Sequence, residues 1–540
     1  MSSSELVKWI EIWLDRAGER AYQPAFLSAL TFHKYKIVHN TSHNSLELGK
    51  DVIARAPNGD LIAFQLKGNP GTRLTMGQWH EIYPQVIQLV TMPLAALLSG
   101  KKTAHHRPIL VTNGEVEEDV QSAISAFNST FVPQYASALP LELWTRGTLI
   151  RLLADAAAAV WPANLSTQIE LLRAAASGGK ESISARIITA VATGALGWTD
   201  DRPSTARSIE RVAGLGTIGS ILSGQHAQVG NLFEVIKTKA IILGIVAGFF
   251  YKHSFNTKKH SYLYDLLRHE LFTTLATYAE QISIKFRDQP FVNEGIFAEF
   301  GIQHARKMMV LALLAVHALE KHGENVSSNI RDMLLQRIDF PFLDGEGIVP
   351  AFLVVFWVKE QLQAGHQNDQ ELKSVLYTII TGAIKGELIS SYYDLNEVIL
   401  ARYKEYLGRQ WHPVDLDQRN RMSQFAHGLT LLLVRRNWKQ TVRQFWPDVT
   451  RILTQHAELQ DPSEFAFFRS EKSIEFTKAA EIPETWTDLI EKASRAIQPN
   501  LPPLLAQDPT LVSLLTVFLP YRCTQDLLLW LDRQFTKTWY

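Results

Sequence analysis

Within the stretch Glu47-Leu-Gly-Lys-Asp51-Val-Ile-Ala-Arg-Ala-Pro-Asn-Gly-Asp-Leu-Ile-Ala-Phe-Gln65-Leu-Lys67-Gly68, several residues have the chemistry of a metal-dependent phosphodiesterase. Hydrolysing a phosphodiester takes a bound hard cation, a polarised phosphoryl oxygen and an activated water. Mg²⁺, or Mn²⁺ in its place, takes oxygen ligands and keeps several waters. Asp51 offers a carboxylate, Gln65 an amide oxygen and Leu66 its backbone carbonyl. Lys67 would stand beside the attacking water, where a cation lowers the water's pKa and stabilises charge developing on the phosphate. Glu47, four residues before Asp51, would add a second carboxylate.

These groups work together only if the chain brings them to one place, and a β-hairpin does so. The segments 51–56 and 61–68 are rich in β-formers and bounded by turn residues. Pro57 suits the first central position of a type I turn, Asn58 the second, and Gly59 the left-handed position that follows. The result is a three-residue loop with a glycine bulge. In that register Ala56 faces Asp60, so Asp51 faces Gln65. Alternation puts Gln65 and Lys67 on one face, with Ile62, Phe64 and Leu66 turned to a core. A two-residue Asn-Gly loop would shift the register by one and separate Asp51 from Gln65.

On these residues the stretch resembles the PD-(D/E)xK nuclease superfamily, and within it the Mrr-like branch that uses Gln-x-Lys. The flanking elements extend the resemblance. A helical segment at Arg20–Phe32 precedes the hairpin, where the family often carries a helix glutamate, with Glu19 or Gln23 as the candidate here. After the hairpin come a helix over Met76–Leu98, a strand over Pro108–Gly114, a last strand over Leu141–Arg146 and a helix over Gly147–Ala159. The resemblance implies an α/β restriction-endonuclease-like domain with Asp51, Gln65, Lys67 and Glu47 in its catalytic site. It implies an endonuclease that cleaves DNA, with RNA as the other phosphodiester substrate. It also implies an effector of prokaryotic restriction or anti-phage defence, a role compatible with a partner protein of the same system. Gln65 is neutral, so metal binding rests on Asp51 and Glu47. If neither carboxylate reached the Gln65–Lys67 face, the domain would be an inert nuclease-like scaffold or sensor that binds nucleic acid or a protein.

Composition narrows the field. The 54 basic and 54 acidic residues cancel, which excludes a protein that coats nucleic acid by bulk charge. A local basic groove from Lys50, Arg55, Lys67 and Arg73 is compatible with that balance, whereas Lys101, Lys102 and Arg107 read as a solvated loop. The single cysteine, Cys523, excludes a disulfide framework and a multi-cysteine zinc site, and fits a reducing cytoplasm. The N-terminus lacks the layout of a signal peptide. The most apolar run, Ala240–Tyr251, is too short to span a bilayer and is flanked by Lys237, Lys239 and Lys252. It reads as a buried core helix, with no membrane role.

A small-residue segment at 174–183 reads as a linker. It sets a nuclease domain at 1–175 apart from a large all-α region, itself divided by the Pro/Gly-rich stretch 339–350 into helical domains at 183–338 and 350–540. Ser204 is a helix cap, and 307–321, 371–385, 397–406 and 526–535 read as helices. Gly214-Leu-Gly-Thr-Ile-Gly219 reads as a helix-breaking turn, since no strand precedes it and no Gly-Lys-Ser/Thr follows. Adjacent His105 and His106 before a strand would point apart, and His39 and His43 read as a polar loop. The helical region is expected to sense a trigger or to assemble a homo-oligomer in which paired sites meet one duplex.

Overall fold

The computed structural model describes residues 3–40, 49–94, 105–135, 138–162, 164–255, 262–285, 302–322, 326–335, 345–362, 369–385, 422–468, 473–478, 485–495 and 498–536. The chain forms two compact units, one of residues 1–242 and 255–270, the other of 243–254 and 271–540.

The first unit is built on a five-stranded mixed sheet. Its elements are α1 (Ser3–Leu14), α2 (Glu19–Phe32), β1 (Lys36–Asn40), β2 (Val52–Arg55), β3 (Leu61–Lys67), β4 (Arg73–Leu74), α3 (Met76–Thr91), β5 (Arg107–Thr112), β6 (Glu115–Val116), α4 (Glu118–Ala126), β7 (Glu142–Trp144) and α5 (Arg146–Ala158). The strand order is β1-β2-β3-β5-β7. β1, β2 and β3 run antiparallel; β3, β5 and β7 run parallel. Central β3 is buried from Ile62 to Leu66 because helices cover both faces, as parallel strands require. On one face Ile53, Ala63 and Leu110 pack with Trp79, Ile82, Val86 and Leu89 of α3 and Val120 of α4. On the other, Phe64 meets Phe26 of α2 and Trp144 of β7, each with ring centroids 5.3 Å away. Thr75 and Gln78 close a capping box that fixes where α3 starts.

Helices α6 (Leu165–Ala176), α7 (Ala185–Leu196) and α8 (Thr205–Gln228) belong to this same unit. The expected boundary at 174–183 therefore does not divide the chain. That segment is pinned: the Gly179 carbonyl meets His226 Nδ1 at 2.9 Å, and Glu234 accepts from Ser182 Oγ at 2.8 Å and Ile183 N–H at 3.2 Å. Gly214–Gly219 is likewise not a turn but the interior of α8, which Ser204 caps. Its glycines are contact points. A Cβ on Gly216 would lie 2.6 Å from Ser28 Oγ of α2, and one on Gly224 would lie 2.5 Å from Trp13 Nε1 of α1. Glycine inside a helix costs about 1 kcal/mol relative to alanine, and here close approach of helices offsets it.

The second unit is mostly helical, with Ile302–Glu320, Val349–Leu362, Asp369–Lys385, Ala426–Arg435, Pro509–Phe518 and Gln525–Phe535 among its helices. It is not all-α, however. A three-stranded sheet orders β10 (Ser473–Lys478), β9 (Leu453–Leu459) and β8 (Met422–Ser423). Ile474 and Phe476 alternate with polar residues in β10, a period-two signal too short to stand out among helices. The Pro/Gly-rich stretch 339–350 falls inside this unit, with 339–344 outside the described residues, as is the expected helix 397–406. Ala240–Phe250 is buried helix. Among the described residues no helix is long and apolar enough to cross a membrane.

Candidate active site

The hairpin has the register that a three-residue loop dictates. Arg55 pairs with Leu61 and Val52 with Phe64, the Ala56 N–H donates to the Asp60 carbonyl at 2.8 Å, and Gly59 takes φ 96°. Continued by one residue, this pairing sets Asp51 against Gln65. Asp51 lies just before β2, and its N–H donates to the Phe64 carbonyl at 2.9 Å. Its carboxylate bends over the end of β3, where Oδ2 accepts from Gln65 Nε2 and from the Leu66 N–H, both at 2.6 Å. The Gln65 amide nitrogen lies 3.5 Å from the Leu66 carbonyl oxygen. An amide N–H₂ thus stands between two oxygens, where a cation would find ligands.

The turn into β2 is held from below by α3. Gly49 has φ 70°, and a Cβ there would fall 2.4 Å from the Gln85 carbonyl. Lys50 is fully buried, and its Nζ donates to the Gln88 carbonyl at 2.9 Å in the last turn of α3, where the helix dipole favours a cation. Burial pulls its ammonium down to about 8. Lys50 is therefore no part of a basic groove, which corrects the sequence expectation: it faces a helix end rather than solvent. Arg55 also leaves that groove, at the hairpin-turn end of β2, where it donates to Gly59. Arg107 forms a two-bond pair with Glu142 at 2.8 and 2.9 Å instead of lying in a solvated loop.

Helix α2 supplies the remaining groups. Glu19 Oε2 lies 3.8 Å from Lys67 Nζ, with both side chains partly accessible. Gln23, the other helix candidate, turns away and donates to Asn40 Oδ1 at 2.8 Å. Tyr22, buried one turn along from Glu19, places its hydroxyl on the Lys67 backbone, donating to the carbonyl at 3.0 Å and accepting from the N–H at 3.2 Å. Burial raises its pKa well above the usual tyrosine value; the Glu19 charge and, more weakly, the Asp51 charge add to this, while the bond to Lys67 opposes it. Both carboxylates are thus electrostatically in touch with one hydroxyl at the end of β3. Sequence reasoning missed Tyr22, whose only signal was its three-residue offset from Glu19 on the face toward the sheet.

The structure therefore brings together Asp51, Gln65, the Leu66 carbonyl, Lys67 and Glu19. Glu47 and His43 lie outside the described residues. His106 is buried against the Leu89 carbonyl at 2.7 Å, while His105 is exposed. Among the described residues no group of three or more His, Cys, Asp or Glu side chains could hold a metal. A cation at β3 would rest on Asp51 with neutral oxygens from Gln65 and Leu66, a donor set of the hard, oxygen-only kind that Mg²⁺ takes. The fold and site define a mixed α/β unit with an acid, amide and lysine cluster at the end of its central strand. No family model, no curated protein and no solved structure matches the chain.

Proposed function

We propose that the chain is a metal-dependent endonuclease that cleaves DNA phosphodiester bonds, with a PD-(D/E)xK-like, Mrr-like site in its first unit. The observation that carries this reading is the 2.6 Å contact between Asp51 and Gln65 two residues before Lys67, with Glu19 beside the lysine. The order of the elements, a helix, three antiparallel strands and parallel strands joined by helices, supports a restriction-endonuclease-like domain. Bound Mg²⁺ or Mn²⁺ would polarise the phosphoryl oxygen and lower the pKa of the attacking water. Asp51, Gln65 through its amide oxygen, and the Leu66 carbonyl would hold it, Gln65 by turning its amide over. Lys67 would orient the water and stabilise the charge developing on the phosphate, and Glu19 would hold the lysine in place. The large second unit fits a gate or an assembly platform, and with it a role as effector in prokaryotic restriction or anti-phage defence, as a homo-oligomer or with a partner protein.

The reading of an inert scaffold draws on one observation: Asp51 is buried and its Oδ2 already accepts two hydrogen bonds. One experiment separates the two. The full chain is incubated with plasmid DNA in Mg²⁺ or Mn²⁺, with and without EDTA, beside Asp51→Ala and Lys67→Ala. The nuclease reading expects EDTA-sensitive cleavage lost in both variants, with metal affinity weakened in Asp51→Ala. Cleavage equal to wild type in both variants excludes this site.

A further inference from the structure

We infer that Tyr22 is a positioning residue for the reaction, setting the reach of Lys67 through the lysine's own backbone. This rests on the nuclease reading of the site.

β3 runs past the end of its β2 partner. The β2–β3 pairing stops at Val52 and Phe64, and the chain before Asp51 turns off at Gly49. Beyond that point β3 keeps β5 as its neighbour, with Lys67 against Thr112, and side chains brought in from elsewhere complete its hydrogen bonds: Asp51 Oδ2 takes the Leu66 N–H, and the Tyr22 hydroxyl takes both the N–H and the carbonyl of Lys67. One hydroxyl that both donates and accepts satisfies both backbone groups of a single residue at the strand's end.

The same turn of α2 grips the strand at two further points. A Cβ on Gly68 would lie 2.6 Å from the Glu19 N–H nitrogen, so the helix start rests directly on the strand end. Glu19 then meets Lys67 Nζ at 3.8 Å. The lysine is gripped at its backbone by residue 22 and at its ammonium by residue 19, both carried on one rigid helix. A misplacement of 1 Å in a catalytic group costs about 10²-fold in rate, so a device that holds the root of a long side chain acts on turnover rather than on binding. Tyr22 is fully buried and does not meet substrate.

The test compares full-length wild type with Tyr22→Phe, which keeps the ring packing and removes only the hydroxyl. Cleavage of DNA gives kcat and KM, a Mg²⁺ titration gives metal dependence, and backbone hydrogen exchange reads the Lys67 N–H directly. Lys67→Ala serves as the inactive reference. We expect kcat to fall about 10- to 100-fold, KM and the Mg²⁺ midpoint to stay within about twofold, and the Lys67 N–H to exchange faster. Tyr22→His, which restores a polar group at that depth without the reach of the phenol, is expected to stay slow. Unchanged kcat in Tyr22→Phe overturns the inference, even if exchange at Lys67 quickens. Equal losses in kcat, metal affinity and thermal stability also overturn it, because they mark a general packing role. An inert wild type, by contrast, defeats the nuclease reading itself.

Discussion

Two polar clusters, one in each unit, both set an Asp and a Glu among basic side chains, to opposite ends. In the first unit, Asp51, Gln65, Lys67 and Glu19 gather where a strand outruns its neighbour, and the Lys67–Glu19 pair keeps some access to solvent at 3.8 Å separation. In the second, Asp532 is 1% exposed, and its Oδ1 carries the hydrogen bonds. The aspartate accepts from Trp357 Nε1 at 2.8 Å and Arg436 Nη2 at 2.8 Å, with Arg435 Nη1 at 3.1 Å, while Glu360 holds Arg436 by two bonds of 2.7 and 2.6 Å. The ion pairs of the sealed cluster span 2.6 to 3.1 Å, whereas the Lys67–Glu19 pair is long, although Asp51 in the same cluster is buried and holds Gln65 at 2.6 Å. Charges taken wholly out of water must be paired closely to be tolerated. A long, part-exposed pair can still exchange its partner for a ligand. Residue type alone does not mark a reactive site; slack in the pairing does.

Breaking each cluster in turn should expose that difference. The largest effect is expected at Lys67→Ala, a loss of about 10²–10³ in kcat with unfolding unchanged, read from plasmid cleavage beside a thermal melt. Asp532→Ala should do the reverse. It leaves the Arg435 guanidinium buried without its acid, which costs about 3–5 kcal/mol, while Arg436 keeps Glu360. Urea unfolding would register that loss, and the folded fraction should keep its specific activity. Wild-type stability in Asp532→Ala with lost cleavage would erase the contrast between the clusters. Glu19→Gln is milder, a fall in kcat short of the about 10²-fold that a 1 Å misplacement costs, because it loosens the orientation of Lys67 without removing it; a wild-type rate would take Glu19 out of the site.

The smallest effect is a pH signature of the second unit. Burial, with Lys321 nearby, lowers the His317 pKa from 6.5 to about 4. The fold accepts only the neutral ring, so its contribution to stability is complete above 6.5 and is lost as pH falls toward 4. Urea midpoints at pH 7 and pH 5 should fall less in His317→Gln than in wild type, and an equal fall would place the acid sensitivity elsewhere.

Much of the first unit was legible because its signals are local. Pro57-Asn58-Gly59 dictates a loop length, and the loop length dictates that Asp51 meets Gln65. Turn-bounded runs of β-forming residues marked the hairpin strands, and Trp79, Ile82, Val86 and Leu89, three or four residues apart, form the buried face of α3. What stayed hidden depends on contacts distant in sequence. Tyr22 and Lys67 are 45 residues apart, and no local pattern says that a tyrosine hydroxyl will complete a strand. Lys50 sits in the motif like a surface lysine, yet its ammonium reaches a helix end 38 residues on. The glycines of α8 resemble a turn because composition reports flexibility, whereas the neighbours that need the missing Cβ lie on α1, α2 and α5.

The glycine face of α8 has a consequence for how such a gene can be cut and rejoined. Recombination that exchanged modules at the alanine- and glycine-rich segment near 174–183 would separate α2 from the helix shaped to receive it. The incoming helix would need glycines at the same places, opposite Ser28 and Trp13, or the two halves could not close. Descent should therefore transmit the sheet and α8 as one inherited block. Breakpoints that survive selection are expected C-terminal to residue 228, where α8 ends, rather than at the stretch that looks like a seam.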